Sequence, residues 1–420
     1  MAREKDISKK KGLTRRDFIK TTAVAGAGLA TGSVLFPKVL RGAEPPEILV
    51  GHIHPLSGPL AYLGNQLKNG TLMAINEINA AGGIKALGGA KLKLIDADSE
   101  GKPDLAISAV ERLKSRGVVA ITGCLQSAVT IVATQIAEKY QVPFIVSVAV
   151  ADKVTERGFK YTFRVQPSAA QMAPQTVKFL SQISNQSNEN VKTIAYIHDD
   201  TDFGTSLSDH VIKAAPNYGM ELIARVPYSP KSADVSTQAR KIKAANADVV
   251  MSSGYFGDQV RVFRAMRGLR VKPKAYVGCG SGGFSDENFS KELGKEMTEY
   301  VLDGNYQANP QSQMAQKMFA HYQELYGNKI PPSAVFAYQP IFVLADALER
   351  AKSTDRDDLR EALADTHLTN HVLPQGPIVF DENGQNKNAQ IAMTQFQDGK
   401  VKIVWPEKYA EANVVFPMPA

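Results

Sequence analysis

The feature that most restricts what this chain can fold into is a regular alternation of short apolar runs with longer amphipathic ones, and it occurs twice. "EILVGHI", beginning at Glu47, has the length and composition of a buried strand. "AYLGNQLKNGTLMAINEINAAGG" follows, with Leu67, Met73, Ala74 and Ile78 near helical spacing and Gly82-Gly83 as its stop. "KLKLIDAD", "VVAITG" and "VPFIVSV" are further strands, separated by the helical "PDLAISAVERLKSRG" and "SAVTIVATQIAEKY". After Pro167 the pattern restarts: "TIAYIHD", "ELIARVPY", "ADVVMSSG" and "KAYVGC" as strands, with helical segments between them. Strands that alternate with helices build parallel sheets covered by helices. Two such runs in so long a chain predict an α/β protein of two doubly wound, parallel-sheet lobes.

In sheets of this kind ligands sit beyond the carboxyl ends of the strands. The loops of interest are therefore "HPLSGP", "GCLQSAVT", "SVAVAD", "HDDTDFG", "SGYFGD" and "GCGSGG".

The first 43 residues do not join this pattern. Arg15 and Arg16 precede an uncharged run, Thr21 to Phe36, that is rich in small residues and too short to span a bilayer comfortably. A basic segment, a short apolar segment and small residues after it describe an export signal. The block around Arg15, Arg16 and Phe18 resembles the twin-arginine signal, which implies export to the periplasm and removal of 1–43. The charge agrees with that division. The chain has 49 Lys+Arg and 42 Asp+Glu; ten of the bases and three of the acids lie in 1–43, leaving 39 of each in the remainder. The folded part is neutral, so no basic face for nucleic acid is expected. "GAGLATG", Gly26 to Gly32, has glycines spaced loosely like a dinucleotide loop, but no strand precedes it and it lies inside the leader.

Five stretches carry a resemblance to the leucine-binding protein family, the periplasmic receptors of ABC transporters for branched-chain amino acids, amides and related compounds. They are "PLSGPLAYLGNQLKNGTLMAINEINAAGGI", "TERGFKYTFRVQPS", "IHDDTDFGTSL", "GYFGDQVRVFRAMRGL" and "GPIVFDENGQN", within a span from about Glu47 to the C-terminus. The resemblance implies a type I periplasmic binding protein: two lobes joined by three crossings, 46–166 plus 303–378 and 167–302 plus 379–418, closing on a small ligand. It also implies a membrane permease as partner, a monomer, and no cofactor. Carried over position by position, Ser127 stands where a family serine meets the ligand carboxylate at the start of a helix, flanked by Gln126 and Ala128. An N-cap serine is the plainer reading of the same residue. Phe203 and Tyr255 take aromatic positions that wall the ligand. Two positions depart from the family's amino-acid receptors. Gly280 stands where an acid neutralises the ligand ammonium, and Val150, near Val148, stands where a threonine accepts from it. A buried ammonium without those acceptors carries a desolvation cost of several kcal/mol. The expected ligand is therefore an organic acid or amide with an apolar or aromatic body, with hydrophobic amino acids as the alternative, their ammonium then meeting Asp200, Asp202 or Asp258.

His52 and His54 alternate on the first strand and face one way. No third and fourth ligand accompanies them, so no metal site is expected, although His54 is placed to line the cleft. Cys124 and Cys279 end strands in different lobes; a bond between them would clamp the receptor shut, and two free, partly buried thiols are expected. No G-x-S-x-G, H-E-x-x-H or phosphate loop is present, and an enzyme is not expected.

Overall fold

The computed structural model describes residues 45–419. The first run gives β1 (Glu47–His54), α1 (Ala61–Ala80), β2 (Lys91–Asp98), α2 (Pro103–Ser115), β3 (Ala120–Gly123), α3 (Ser127–Lys139), β4 (Phe144–Val146) and β5 (Thr162–Arg164). The second gives α4 (Ala169–Gln186), β6 (Thr193–Asp199), α5 (Asp202–Ala214), β7 (Glu221–Tyr228), α6 (Ser236–Ala245), β8 (Val249–Ser253), α7 (Phe256–Gly268), β9 (Ala275–Cys279), α8 (Glu287–Leu293), α9 (Lys295–Thr298) and β10 (Leu302–Asn305). The chain then returns through α10 (Gln313–Tyr326), α11 (Pro332–Ala351) and α12 (Arg356–Ala364), and ends with β11 (Ala392–Gln397) and β12 (Lys400–Trp405).

The two runs wind in the same order. The first sheet is β2-β1-β3-β4-β5, parallel throughout. The second repeats it as β7-β6-β8-β9-β10, again parallel. Each sheet thus reverses direction beside its first strand, and the crevice at such a switch point is where a doubly wound lobe takes its ligand. One addition was not anticipated from the sequence. β11 pairs antiparallel with β10, and β12 with β11, extending the second sheet to seven strands. Asp398-Gly399, both at positive φ, makes the two-residue turn between them.

Burial follows the expected faces. α1 buries Leu63, Leu67, Met73, Ala74, Ile75 and Ile78, and packs on α11, which is buried along most of its length. Gly70 lets these helices touch: a Cβ there would lie 2.0 Å from the Ala334 carbonyl oxygen. The return helices therefore belong with the first sheet. The first and third crossings lie side by side, with Arg164 N–H donating to Gly384 O at 2.8 Å and Asn386 N–H to Arg164 O at 3.0 Å. Among the described residues no helix is long and apolar enough to cross a membrane.

Candidate functional site

The strand-end loops of the two sheets face each other and enclose a cavity of about 70 Å³. Leu125, from the loop after β3, and Val148, Ala149 and Val150, after β4, form its wall on the first lobe, with Leu63 of α1 and Phe336 of α11. Phe203, Tyr255 and Gly280 close it from the second lobe, together with Ser281, Ser285 and Asp286 after β9 and Asn305 at the end of β10, with Tyr306 following where the chain crosses back. The wall is largely apolar. Phe203 and Tyr255 stack with ring centroids 5.2 Å apart, and Tyr306 stands edge-on to Phe336 at 4.5 Å.

Contacts across the crevice put the lobes in a closed arrangement. Asp152, in the loop after β4, accepts from Ser206 Oγ at 2.9 Å and meets His210 Nε2 at 2.6 Å, both on α5, and accepts from the Ala170 N–H of α4 at 3.2 Å. Lys153 pairs with Asp202 at 3.2 Å. Tyr306 O–H donates to the Val148 carbonyl at 3.0 Å. At the mouth, Tyr62 of α1 donates to Asp286 Oδ2 at 3.0 Å, accepts from Asn288 Nδ2 at 2.6 Å and packs on Phe256 at 5.2 Å.

Of the residues singled out from sequence, Val148, Val150, Phe203, Tyr255 and Gly280 are brought together in this wall, while Gln126, Ser127, Ala128 and His54 are not part of it. Ser127 is the first residue of α3 rather than its cap, and its Oγ accepts from the Ala151 N–H at 3.3 Å. Gln126 precedes it and turns its amide to the Gly101 carbonyl at 3.1 Å. The Tyr255 phenol is buried in the cavity wall. Burial first, then Asp199 and Asp258, push that phenol well above its ordinary range, so it stays a neutral hydroxyl. His54 is fully buried beneath the wall, with Nε2 3.4 Å from Ser147 Oγ. Its neighbour His52 is held by Asp96 at 2.9 Å, itself paired with Lys68 at 2.6 Å. Burial lowers both imidazoles' pKa values, leaving them neutral. Among the described residues no cluster of His, Cys, Asp and Glu has the makings of a metal site. Cys124 and Cys279 are unpaired, as expected, and fully rather than partly buried.

Gly280 is a glycine for a backbone reason: its φ is +68°, and an added Cβ would lie 3.3 Å from Met172 Cε. None of the three acids named as substitute acceptors lines the cavity. Asp200 is exposed, Asp202 pairs with Lys153, and Asp258 caps α7 through the Tyr255 N–H at 3.0 Å.

Three functional residues escaped the sequence reading. Asp286, the cap of α8, brings a carboxylate into the cavity wall; burial raises its pKa, and it makes no ion pair among the described residues. Its place before "ENFSKEL" marks it as a cap and gives no sign of the cavity. Asp303, fully buried behind the wall, accepts from Ser281 N–H (3.2 Å), Ser285 O–H (2.5 Å) and Asn305 Nδ2 (3.0 Å), three groups of the wall. Burial pushes its carboxyl up to about 7 despite those donors. Arg164, fully buried, donates to the carbonyls of Ala149 (3.2 Å) and Ala151 (2.7 Å), Thr155 Oγ1 (3.0 Å) and Gln385 Oε1 (2.5 Å), and so fixes the loop that carries Val150.

Comparison with known proteins agrees with this architecture. A family model described as "Periplasmic binding protein" matches residues 47–400. One for the twin-arginine translocation pathway signal matches 12–32, so the leader with Arg15, Arg16 and Phe18, which lies outside the described residues, carries a signal for export to the periplasm. The chain is 30% identical over 401 residues to Leu/Ile/Val-binding protein homolog 8 of Brucella abortus (strain 2308), covering 93% of this chain and 97% of that one. It is 30% identical over 392 residues to homolog 7 of Brucella suis biovar 1 (strain 1330), covering 90% and 97%. Among solved structures it resembles the leucine-binding protein LivK of Thermotoga maritima (TM-score 0.74, 24% identity, 85% of this chain and 97% of that one). It also resembles LivJ of Streptococcus pneumoniae in complex with isoleucine (TM-score 0.74, 23% identity, 88% and 100%).

Proposed function

The chain belongs to the periplasmic binding protein family, and we propose that it is the receptor of an ABC importer of the branched-chain amino acid type, closing its lobes on a small organic acid or amide with an apolar or aromatic body. The observation that carries the ligand class is the wall itself. Val150 and Gly280 present neither hydroxyl nor acid, and Leu125, Val148, Phe203, Tyr255 and Phe336 surround the space with carbon. Loss of both ammonium acceptors disfavours a zwitterion by about 0.5–3 kcal/mol for each missing hydrogen bond. Delivery to a membrane permease, a monomeric state and the absence of turnover belong to the same reading. So does a division into two lobes, expected at 46–166 plus 303–378 and 167–302 plus 379–418, with its second boundary moved from 303 to just after Asn305 because β10 pairs with β9 in the second sheet.

A second reading is favoured by Asp286, a carboxylate in the wall with no ion pair among the described residues: a hydrophobic amino acid whose ammonium meets it, in keeping with relatives named for leucine, isoleucine and valine. A thermal-shift panel of amino acids beside their deaminated acids and amides separates the two. A ligand at 100 times its dissociation constant adds about 2.7 kcal/mol of stability, which is readily seen. Stabilisation by leucine, isoleucine or valine, with none by an acid or amide, establishes the second reading at the expense of the first. Incubation of the protein with each stabilising compound, followed by product analysis, tests for turnover.

A further inference from the structure

A second chamber, of about 310 Å³, adjoins the cavity between the lobes and is more than four times its volume. The two share Ser285, Asp286 and Pro332, so these residues form a neck, and the other wall groups belong to one space or the other. Beyond the neck the surroundings change character. The chamber keeps an apolar side in Phe319, Ile330, Val335 and Ile403, but adds Gln66, Gln307 and Thr394 and opens at a rim with exposed Lys291, Lys329 and Glu411. Two groups there are incompletely matched, one lacking an acceptor and the other a cation. Gln307 Nε2 is buried with no hydrogen-bond acceptor among the described residues. Asp286, at the neck, accepts from Tyr62 O–H and from the backbone and side-chain N–H groups of Asn288, yet no lysine or arginine lies within ion-pair distance of it among the described residues. A buried carboxylate and a buried amide N–H left in this state are costly, and a ligand that supplies a donor to one and an acceptor to the other removes both costs.

We propose that the ligand is elongated and occupies both spaces: its apolar body fills the first cavity, an amide or ammonium N–H at its waist donates to Asp286, and a carbonyl-bearing end enters the second chamber and accepts from Gln307. This rests on the receptor reading given above and extends it from a compact acid or amide to an N-substituted amide or amine with a polar tail. Tyr62 fits the same geometry. It covers the neck from the first lobe and orients the Asp286 carboxylate, while Ser285 is held from behind by Asp303.

The test compares a short amide with its extension. The probes are 4-methylpentanamide and 3-phenylpropanamide, each beside its N-substituted form in which the amide nitrogen carries a –CH2–CO–NH2 tail, together with leucine, isoleucine and valine. Binding is measured by calorimetry on the mature protein. The expected result is at least tenfold tighter binding of an extended amide over its short parent. N-methylation of the waist amide should cancel that gain, and Asp286→Asn should reduce it. Gln307→Leu and the chamber-filling Ala308→Leu should each lower the extended-to-short ratio, with thermal melting used to verify folding. An extended-to-short ratio of one or less overturns the chamber and leaves the receptor reading in place, as does a ratio that both Gln307→Leu and Ala308→Leu leave unchanged. Failure of every amide, with or without binding of leucine, isoleucine or valine, overturns the amide part of the receptor reading, and the chamber falls with it.

Discussion

Removing the carboxylate of Asp152 should open the receptor. Asp152 sits on the first lobe, and its partners Ser206 and His210 sit on α5 of the second, at 2.9 and 2.6 Å. The side chains of Asp152 and His210 are only 17% and 19% exposed, so water screens the pair weakly. A hydrogen bond to a charged group contributes about 1.5–3 kcal/mol, and a neutral one about 0.5–1.5. Because both contacts keep some access to water, about 2 kcal/mol is a fair sum for Asp152→Ala. Contacts that form only on closure add their free energy to ligand affinity, since the bound state is the closed one. At 1.4 kcal/mol per decade, affinity for the best amide should fall about 30-fold. The paired variant Ser206→Ala/His210→Ala removes the α5 side-chain contacts from the other side and leaves only the Ala170 N–H on Asp152, so adding it to Asp152→Ala should cost little more. Calorimetry gives the affinities. Small-angle scattering with and without ligand should show the wild type compacting, and the variant doing so only at higher ligand concentration. If Asp152→Ala binds within twofold of wild type and scatters identically, the bridge does not report closure and the reasoning fails.

The buried acids give a pH signature. Burial pushes Asp199 and Asp303 up to about 7, so each binds its proton more tightly folded than unfolded. Their contribution to stability is complete below the ordinary carboxyl range and is lost as pH rises through about 7. Melting temperature should therefore decline between pH 5 and 8, and Asp303→Asn should flatten the decline; an unchanged slope refutes the assignment. At Gly280, φ +68° makes alanine unfavourable by about 1–2 kcal/mol, and Gly280→Ala should lower both melting temperature and affinity, as thermal melts and calorimetry can check. Exchange of Arg15 and Arg16 for lysine keeps the charge but removes the paired guanidinium groups, so the precursor should accumulate in the cytoplasm on fractionation; normal export would assign the leader to another route.

How much of this was legible in the sequence depends on the range of the interactions involved. The alternation of apolar runs was enough for the two parallel sheets, because strand and helix periodicity are local properties. The strand-end loops followed from the sheet type, and the twin arginines from their own neighbourhood. The loops that hold Phe203, Tyr255, Val148, Val150 and Gly280 could be placed at the crevice on that basis, and the family resemblance picked out the residues within them. The antiparallel ribbon at the end of the chain also had a local sign, the Asp398-Gly399 turn, although two strands joined without a helix fall outside the strand–helix pattern. The direction of a side chain within a loop is another matter, because partners far away in the sequence set it. Ser127 turns to Ala151 instead of facing the cavity, while Asp286 is held at its neck by Tyr62, 224 positions earlier. Arg164 fixes the Val150 loop and is itself fixed by Gln385, 221 positions later. Tertiary structure alone decided these, because the free energy that orients a loop side chain comes from groups that only the closed fold brings within hydrogen-bonding distance.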